Sequence, residues 1–122
     1  MTQTDLLLRN NEAYVKTFKA KSLHGRPKRK LAVIACMDAR LDLFKILGLE
    51  EGDAHLIRNA GGIVNDDVIR SLIVSQYLLG TEEIVLVNHT DCGMLTFDEV
   101  DLRRRVESQA GRAPPFLLGG IL

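Results

Sequence analysis

The sequence carries no excess charge of either sign, since 16 Lys and Arg balance 16 Asp and Glu. That balance leaves no global field to draw the chain to nucleic acid or to an anionic membrane. Any apolar run approaching a membrane span is missing, and so are the basic start and apolar stretch of a signal peptide. A cytoplasmic location is therefore the expectation. Cysteine is scarce, with two in 122 residues, which excludes a disulfide scaffold and leaves reduced thiols or a metal site. Internal repeats, low-complexity tracts and a second domain are missing as well. What remains is an ordinary globular composition, 46% apolar and 26% charged. It reads as a single domain over residues 1–122, with enough chain for a core and little to spare.

The stretch Leu31–Arg40, LAVIACMDAR, organises the rest. Leu31 to Ala35 are apolar without polar alternation, the pattern of a strand buried on both faces inside a parallel sheet. Helices must then cover both sides. The run stops at Cys36, Asp38 and Arg40, a thiol, a carboxylate and a guanidinium. In open α/β sheets ligands bind in the crevice beyond the carboxyl ends of the strands, so these residues point to a site.

Before that strand, Thr4–Lys19 predicts a helix capped by Thr4, with Leu7, Leu8, Tyr14, Val15 and Phe18 as an interrupted apolar stripe. Lys21–Lys30 follows as a basic connector without aromatic interleaving, read as a solvated loop rather than a phosphate site. After the strand, Leu41–Leu47 predicts a short helix ended by Gly48. A brief second strand, Asp53–Arg58, leads into Asn59-Ala60-Gly61-Gly62. The paired glycines permit positive φ, so this loop either borders a ligand or is a simple tight turn.

Asn65 caps the next helix, which Gly80 follows; Val68, Ile69, Leu72, Ile73, Val74 and Leu78 predict heavy burial for it. Glu83–Asn88 is a third strand that ends at His89-Thr90-Asp91-Cys92-Gly93. Alternating strands and helices with short links imply right-handed crossovers and a parallel sheet. The expected fold is a three-layer αβα arrangement around it. Asp98–Ala110 is a polar helix whose Arg103–Arg105 are expected on a solvated face.

Taken singly, a buried cysteine or a His-x-x-Cys pair is as readily packing as chemistry. With the first and third strands adjacent, Cys36 emerges at the same edge as His89 and Cys92. Two thiolates and an imidazole suit Zn²⁺, and three protein ligands leave a fourth position open, as in catalytic zinc sites. His24 and His55 are read as lying outside this set.

The combination Cys36-x-Asp38-x-Arg40, Arg58-Asn59-Ala60-Gly61-Gly62 and His89-x-x-Cys92-Gly93 resembles the β-class carbonic anhydrases. The resemblance implies a zinc enzyme hydrating CO2 to bicarbonate, a sheet of order 2-1-3-4 and an active site at a dimer interface. A homodimer or higher homo-oligomer is the partner it implies. Carried over, Cys36, His89 and Cys92 are the zinc ligands. Asp38 is the group that orients the attacking oxygen, and Arg40 holds Asp38. Ala60, Gly61, Gly62 and Gly93 are the residues expected against substrate.

The family continues with a further strand and helices, for which Ala113–Leu122 offers no counterpart; nor is there one for the glutamine that many members place before the first strand. The expected sheet is therefore 2-1-3, with the third strand at an edge that the tail's Phe116, Leu117 and Leu118 or another chain covers. Such a chain is expected to be oligomeric or aggregation-prone and less active than a longer relative. Two other readings stay open: hydrolysis of carbonyl sulfide or carbon disulfide at the same metal, and a non-catalytic zinc-binding remnant.

Overall fold

An unbroken apolar run becomes the buried centre of the protein. Strand β1 (Leu31–Cys36) leaves Ala32 to Ala35 with no exposed surface. In the computed structural model, which describes residues 1–19 and 23–119, β1 pairs in parallel with two neighbours. They are β2 (Ala54–Asn59) and β3 (Glu83–Val87), so the sheet has the expected order β2-β1-β3. Ala35 stands opposite Arg58 on one side and Val87 on the other. All three strands thus release their chains at one edge, where the polar residues begin.

Helices α1 (Gln3–Thr17), α2 (Leu43–Leu47), α3 (Asp66–Tyr77) and α4 (Glu99–Ala110) complete the described elements. Their ends are written in local chemistry. Asp42, Asn65 and Asp98 accept from the backbone N–H of Lys45, Val68 and Asp101, respectively, and cap α2, α3 and α4. Gly48 and Gly111 end α2 and α4 in left-handed backbone. Under the sheet, Val33, Ala35, Leu43 and Leu49 form one cluster. A second, Cys36, Cys92 and Met94 with Leu41, Ala60, Ile63 and Phe97 around it, sits at the carboxyl edge.

Three expectations need correction. The cap of α1 is Thr2, not Thr4, because Asp5 returns the bond: Thr2 Oγ1 accepts from Asp5 N, and Asp5 Oδ2 accepts from Thr2 N. Helix α3 buries only Val68 and Ser75; Ile73, Tyr77 and Leu78 face outward because one side of the helix alone meets the sheet. Arg103 does not lie on a solvated face: it donates to the Phe116 and Pro114 carbonyls and pairs with Glu99.

That last contact also places the tail. Leu118 N and Gly119 N donate to Glu99 Oε1, so the tail follows α4 instead of shielding β3, whose Leu86 remains 55% exposed. The basic connector is exposed at Arg26, Lys28, Arg29 and Lys30, as expected. Residues 20–22 and 120–122, holding the start of that connector and the end of the tail, lie outside the described residues.

Candidate metal centre

The parallel register brings the separated motifs together. Cys36 closes β1, while His89 and Cys92 follow β3 by a few residues, and their ligand atoms all lie within 4.8 Å of one another. The two sulfurs are 3.9 Å apart, and both cysteines are free. His89 Nδ1 lies 2.8 Å from the Thr90 carbonyl oxygen. A carbonyl only accepts, so Nδ1 carries the proton and Nε2 presents its lone pair to the cluster. That Nε2 is buried and has no hydrogen-bond partner. Buried polar atoms are rarely left so. An orphaned nitrogen facing two thiols is the donor set that a borderline-soft cation such as Zn²⁺ satisfies.

Burial pushes the Cys36 thiol up, but His89, the backbone amides of Asp38 and Gly61, and Cys92 outweigh it and bring its pKa down to about 7. The Cys36 thiolate beside His89 in turn pushes the imidazole's pKa up.

Next to the cluster, Asp38 and Arg40 form a bidentate pair. Arg40 Nε donates to Asp38 Oδ1 at 2.9 Å and Nη2 to Oδ2 at 2.7 Å, while the Arg40 backbone N–H adds a third bond at 2.8 Å. Arg40's side chain, then its backbone, hold the Asp38 carboxyl well below the usual carboxylate range. Asp38 Oδ2 also lies 3.9 Å from His89 Nε2, so the carboxylate borders the donor cluster. Arg40 Nη2 reaches further, donating to the Asp91 carbonyl at 3.0 Å. Asp91 itself sits in left-handed backbone, φ 55°, which aspartate tolerates. One guanidinium thereby ties the loop after β1 to the loop after β3.

The glycine loop after β2 turns in left-handed backbone and lies against the Cys36 loop. Gly61, φ 87°, stands so close to Met94 that a Cβ would fall 2.8 Å from its Cγ, and it borders a cavity. Gly62, φ 61°, instead props the loop that carries Cys36 from behind, where a Cβ would fall 2.8 Å from the Cys36 backbone nitrogen. The Asn59 side chain closes the loop by exchanging two bonds with the Ile63 backbone.

The cavity measures about 320 Å³. Cys36, Asp38 and Cys92 form its polar side, and Met37, Met94 and Phe97 its apolar wall. Ala60, Gly61 and Gly93 complete the lining, whereas Gly62 is not part of it. A Cβ at Gly93 would meet nothing within 4 Å. A smaller hollow of about 190 Å³ adjoins on the His89 side.

His55 and His24 stay outside the cluster. His55 lies between Ser75 Oγ and the Gly25 carbonyl, and His24 is exposed. Sequence reasoning gave Arg58 no role, yet it donates to three carbonyls of the loop that carries Cys36 and Asp38. The available signal was its place, a fixed cation one residue from the carboxyl end of β2.

Comparisons with known proteins agree with this geometry. The carbonic anhydrase family profile matches residues 31–111. Beta-carbonic anhydrase 1 of Mycobacterium tuberculosis is 54% identical over 114 residues, spanning 93% of this chain and 69% of that protein. A carbon disulfide hydrolase of Acidianus sp. is 48% identical over 81 residues, 66% of this chain and 40% of that one. Among solved structures, the carbonic anhydrase of Streptococcus mutans superposes with a TM-score of 0.89 at 40% identity, covering 99% of this chain and 74% of that chain.

Proposed function

This chain belongs to the β-carbonic anhydrase family, a family of lyases, and we propose that it hydrates CO2 reversibly to bicarbonate at a zinc ion held by Cys36, His89 and Cys92. The observation that carries this reading is the buried, unpartnered His89 Nε2 among two thiols, beside an Asp–Arg pair. Zinc at such a site supplies a water acidified far enough to yield hydroxide near neutral pH, an effect for which carbonic anhydrases are the standard example.

The chain's own residues do the rest. Asp38, kept ionised by Arg40, accepts a proton in a hydrogen bond from the attacking oxygen and so aims its lone pair at the carbon. Arg40 fixes the carboxylate through two nitrogens and holds its own place through Asp91. Met37, Met94 and Phe97 offer an apolar wall suited to uncharged CO2. Backbone at Ala60, Gly61 and Gly93 leaves room beside Cys36, Asp38 and Cys92 for substrate, and Gly62 supports Cys36 from behind. Carbon dioxide and water give bicarbonate and one proton, which leaves to solvent.

The reading extends to a cytoplasmic protein that works as a homodimer or larger homo-oligomer. The outward apolar residues of α1 and α3 support assembly, and the two free thiols suit a reducing compartment. A second reading, hydrolysis of carbon disulfide or carbonyl sulfide, draws support from the similarity to a carbon disulfide hydrolase. Stopped-flow CO2 hydration and carbon disulfide hydrolysis, run in parallel on protein of measured zinc content, separate the two. Turnover of CO2 is expected. Activity on carbon disulfide alone would favour the second reading, and zinc without either activity a binding module.

A further inference from the structure

The guanidinium of Arg58 faces three backbone carbonyls and no carboxylate. Its Nε donates to Cys36 O at 2.9 Å, Nη2 to Asp38 O at 2.8 Å and Nη1 to Leu41 O at 3.1 Å. Among the described residues it forms no ion pair, unlike Arg40, Arg70 and Arg103. Its charge is therefore spent on one loop. The loop's other ties include Met37 N to Asn59 O, Leu41 N to the same Asp38 carbonyl that Arg58 grips, and the Arg40 guanidinium to Asp38 and to the Asp91 carbonyl; none of these holds the Cys36 carbonyl, as Arg58 does.

From this geometry we infer that Arg58 is a positioning residue for the metal centre, an inference that rests on the zinc reading above. It clamps the turn from Cys36 to Leu41 at both ends and in the middle. The turn then presents the Cys36 sulfur to the cluster with His89 and Cys92 and leaves the Asp38 carboxylate where Arg40 takes it. Planar, forked donors are needed for three divergent acceptors, and a lysine ammonium at the end of a flexible stem reaches one at a time. Outer residues that orient metal ligands commonly change metal affinity by 10- to 100-fold when removed.

The test uses the full chain with Arg58→Met and Arg58→Lys. Zinc affinity is measured by chelator competition, and the ligand geometry by the visible bands of cobalt bound in place of zinc. Arg58→Met should weaken zinc by roughly 10- to 100-fold and alter the cobalt bands, with Arg58→Lys in between. A purely structural role would lower the melting temperature of the metal-free protein and leave the cobalt spectrum unchanged, which would overturn the inference. Should Arg58→Met fail to fold, Arg58→Lys decides alone: affinity and spectrum matching the parent overturn the inference, and a weakened site supports it. A parent that binds neither cobalt nor zinc overturns the metal reading and this inference together. Metal bound equally by parent and variants overturns only the place given to Arg58.

Discussion

The sulfur of Cys36 lies 3.9 Å from the sulfur of Cys92, across the gap between the ends of β1 and β3. That is nearly twice the length of a disulfide bond, about 2.05 Å. It is close to the separation that two sulfurs would take on one ion, since bonds of about 2.3 Å at a tetrahedral angle put them roughly 3.8 Å apart. The parallel pairing of β1 and β3 brings the two loops to one edge, and the loop after β3 carries Cys92 to Cys36 without a covalent link.

Metal content should follow these ligands. Purified protein is expected to carry about one zinc per chain, as one open catalytic site implies. Cys36→Ser, Cys92→Ser and His89→Ala should each abolish it, read by elemental analysis after dialysis. Zinc content unaffected by any of the three would place the metal elsewhere.

Asp38→Asn separates holding the metal from using it. The substitution keeps size and removes the charge that accepts the proton, so zinc should stay while turnover falls by roughly 10- to 1000-fold. Wild-type kcat/KM in Asp38→Asn would remove Asp38 from the mechanism.

The pH profile offers a check on Arg40. Its side chain is the main cause of the low Asp38 pKa, so in Arg40→Gln that pKa should rise toward the ordinary carboxylate range. The pH at which the Asp38 carboxyl takes up its proton, followed by the pH dependence of its carboxyl carbon-13 resonance, should therefore lie higher in Arg40→Gln than in the parent. Superimposable titrations in parent and variant would show that Arg40 is not what keeps Asp38 ionised.

Two glycines of the site should respond oppositely to a methyl group. Gly62 has φ 61° and its Cβ would crowd Cys36 N at 2.8 Å. Gly62→Ala should cost about 1–3 kcal/mol of stability in urea unfolding. A Cβ at Gly93 meets open space, and Gly93→Ala should stay within about 0.5 kcal/mol of the parent. Equal stability for both variants would mean that the close approach at Gly62 is relieved by movement.

Much of this was legible because β1 is uniform. LAVIA has one way to be buried, a central parallel strand, and parallel strands deliver their next residues to one edge, which is how Cys36, His89 and Cys92 converge. Caps such as Asn65 and terminators such as Gly48 were legible for the same local reason. Burial of α3 was not, since apolar residues on two sides do not say which side meets the sheet. Arg103 and Arg58 escaped because their partners are backbone carbonyls, which carry no residue identity. The pair of Thr2 and Asp5 lies ahead of the apolar stripe by which α1 was recognised.

Zinc K-edge X-ray absorption on the purified, zinc-loaded chain reads the Cys36–His89–Cys92 donor set itself. A four-coordinate ion is expected, with two sulfurs at about 2.3 Å, one imidazole nitrogen at about 2.0–2.1 Å and the remaining position taken by a light atom. A first shell of oxygen and nitrogen alone, or one unchanged in Cys92→Ser, would contradict it.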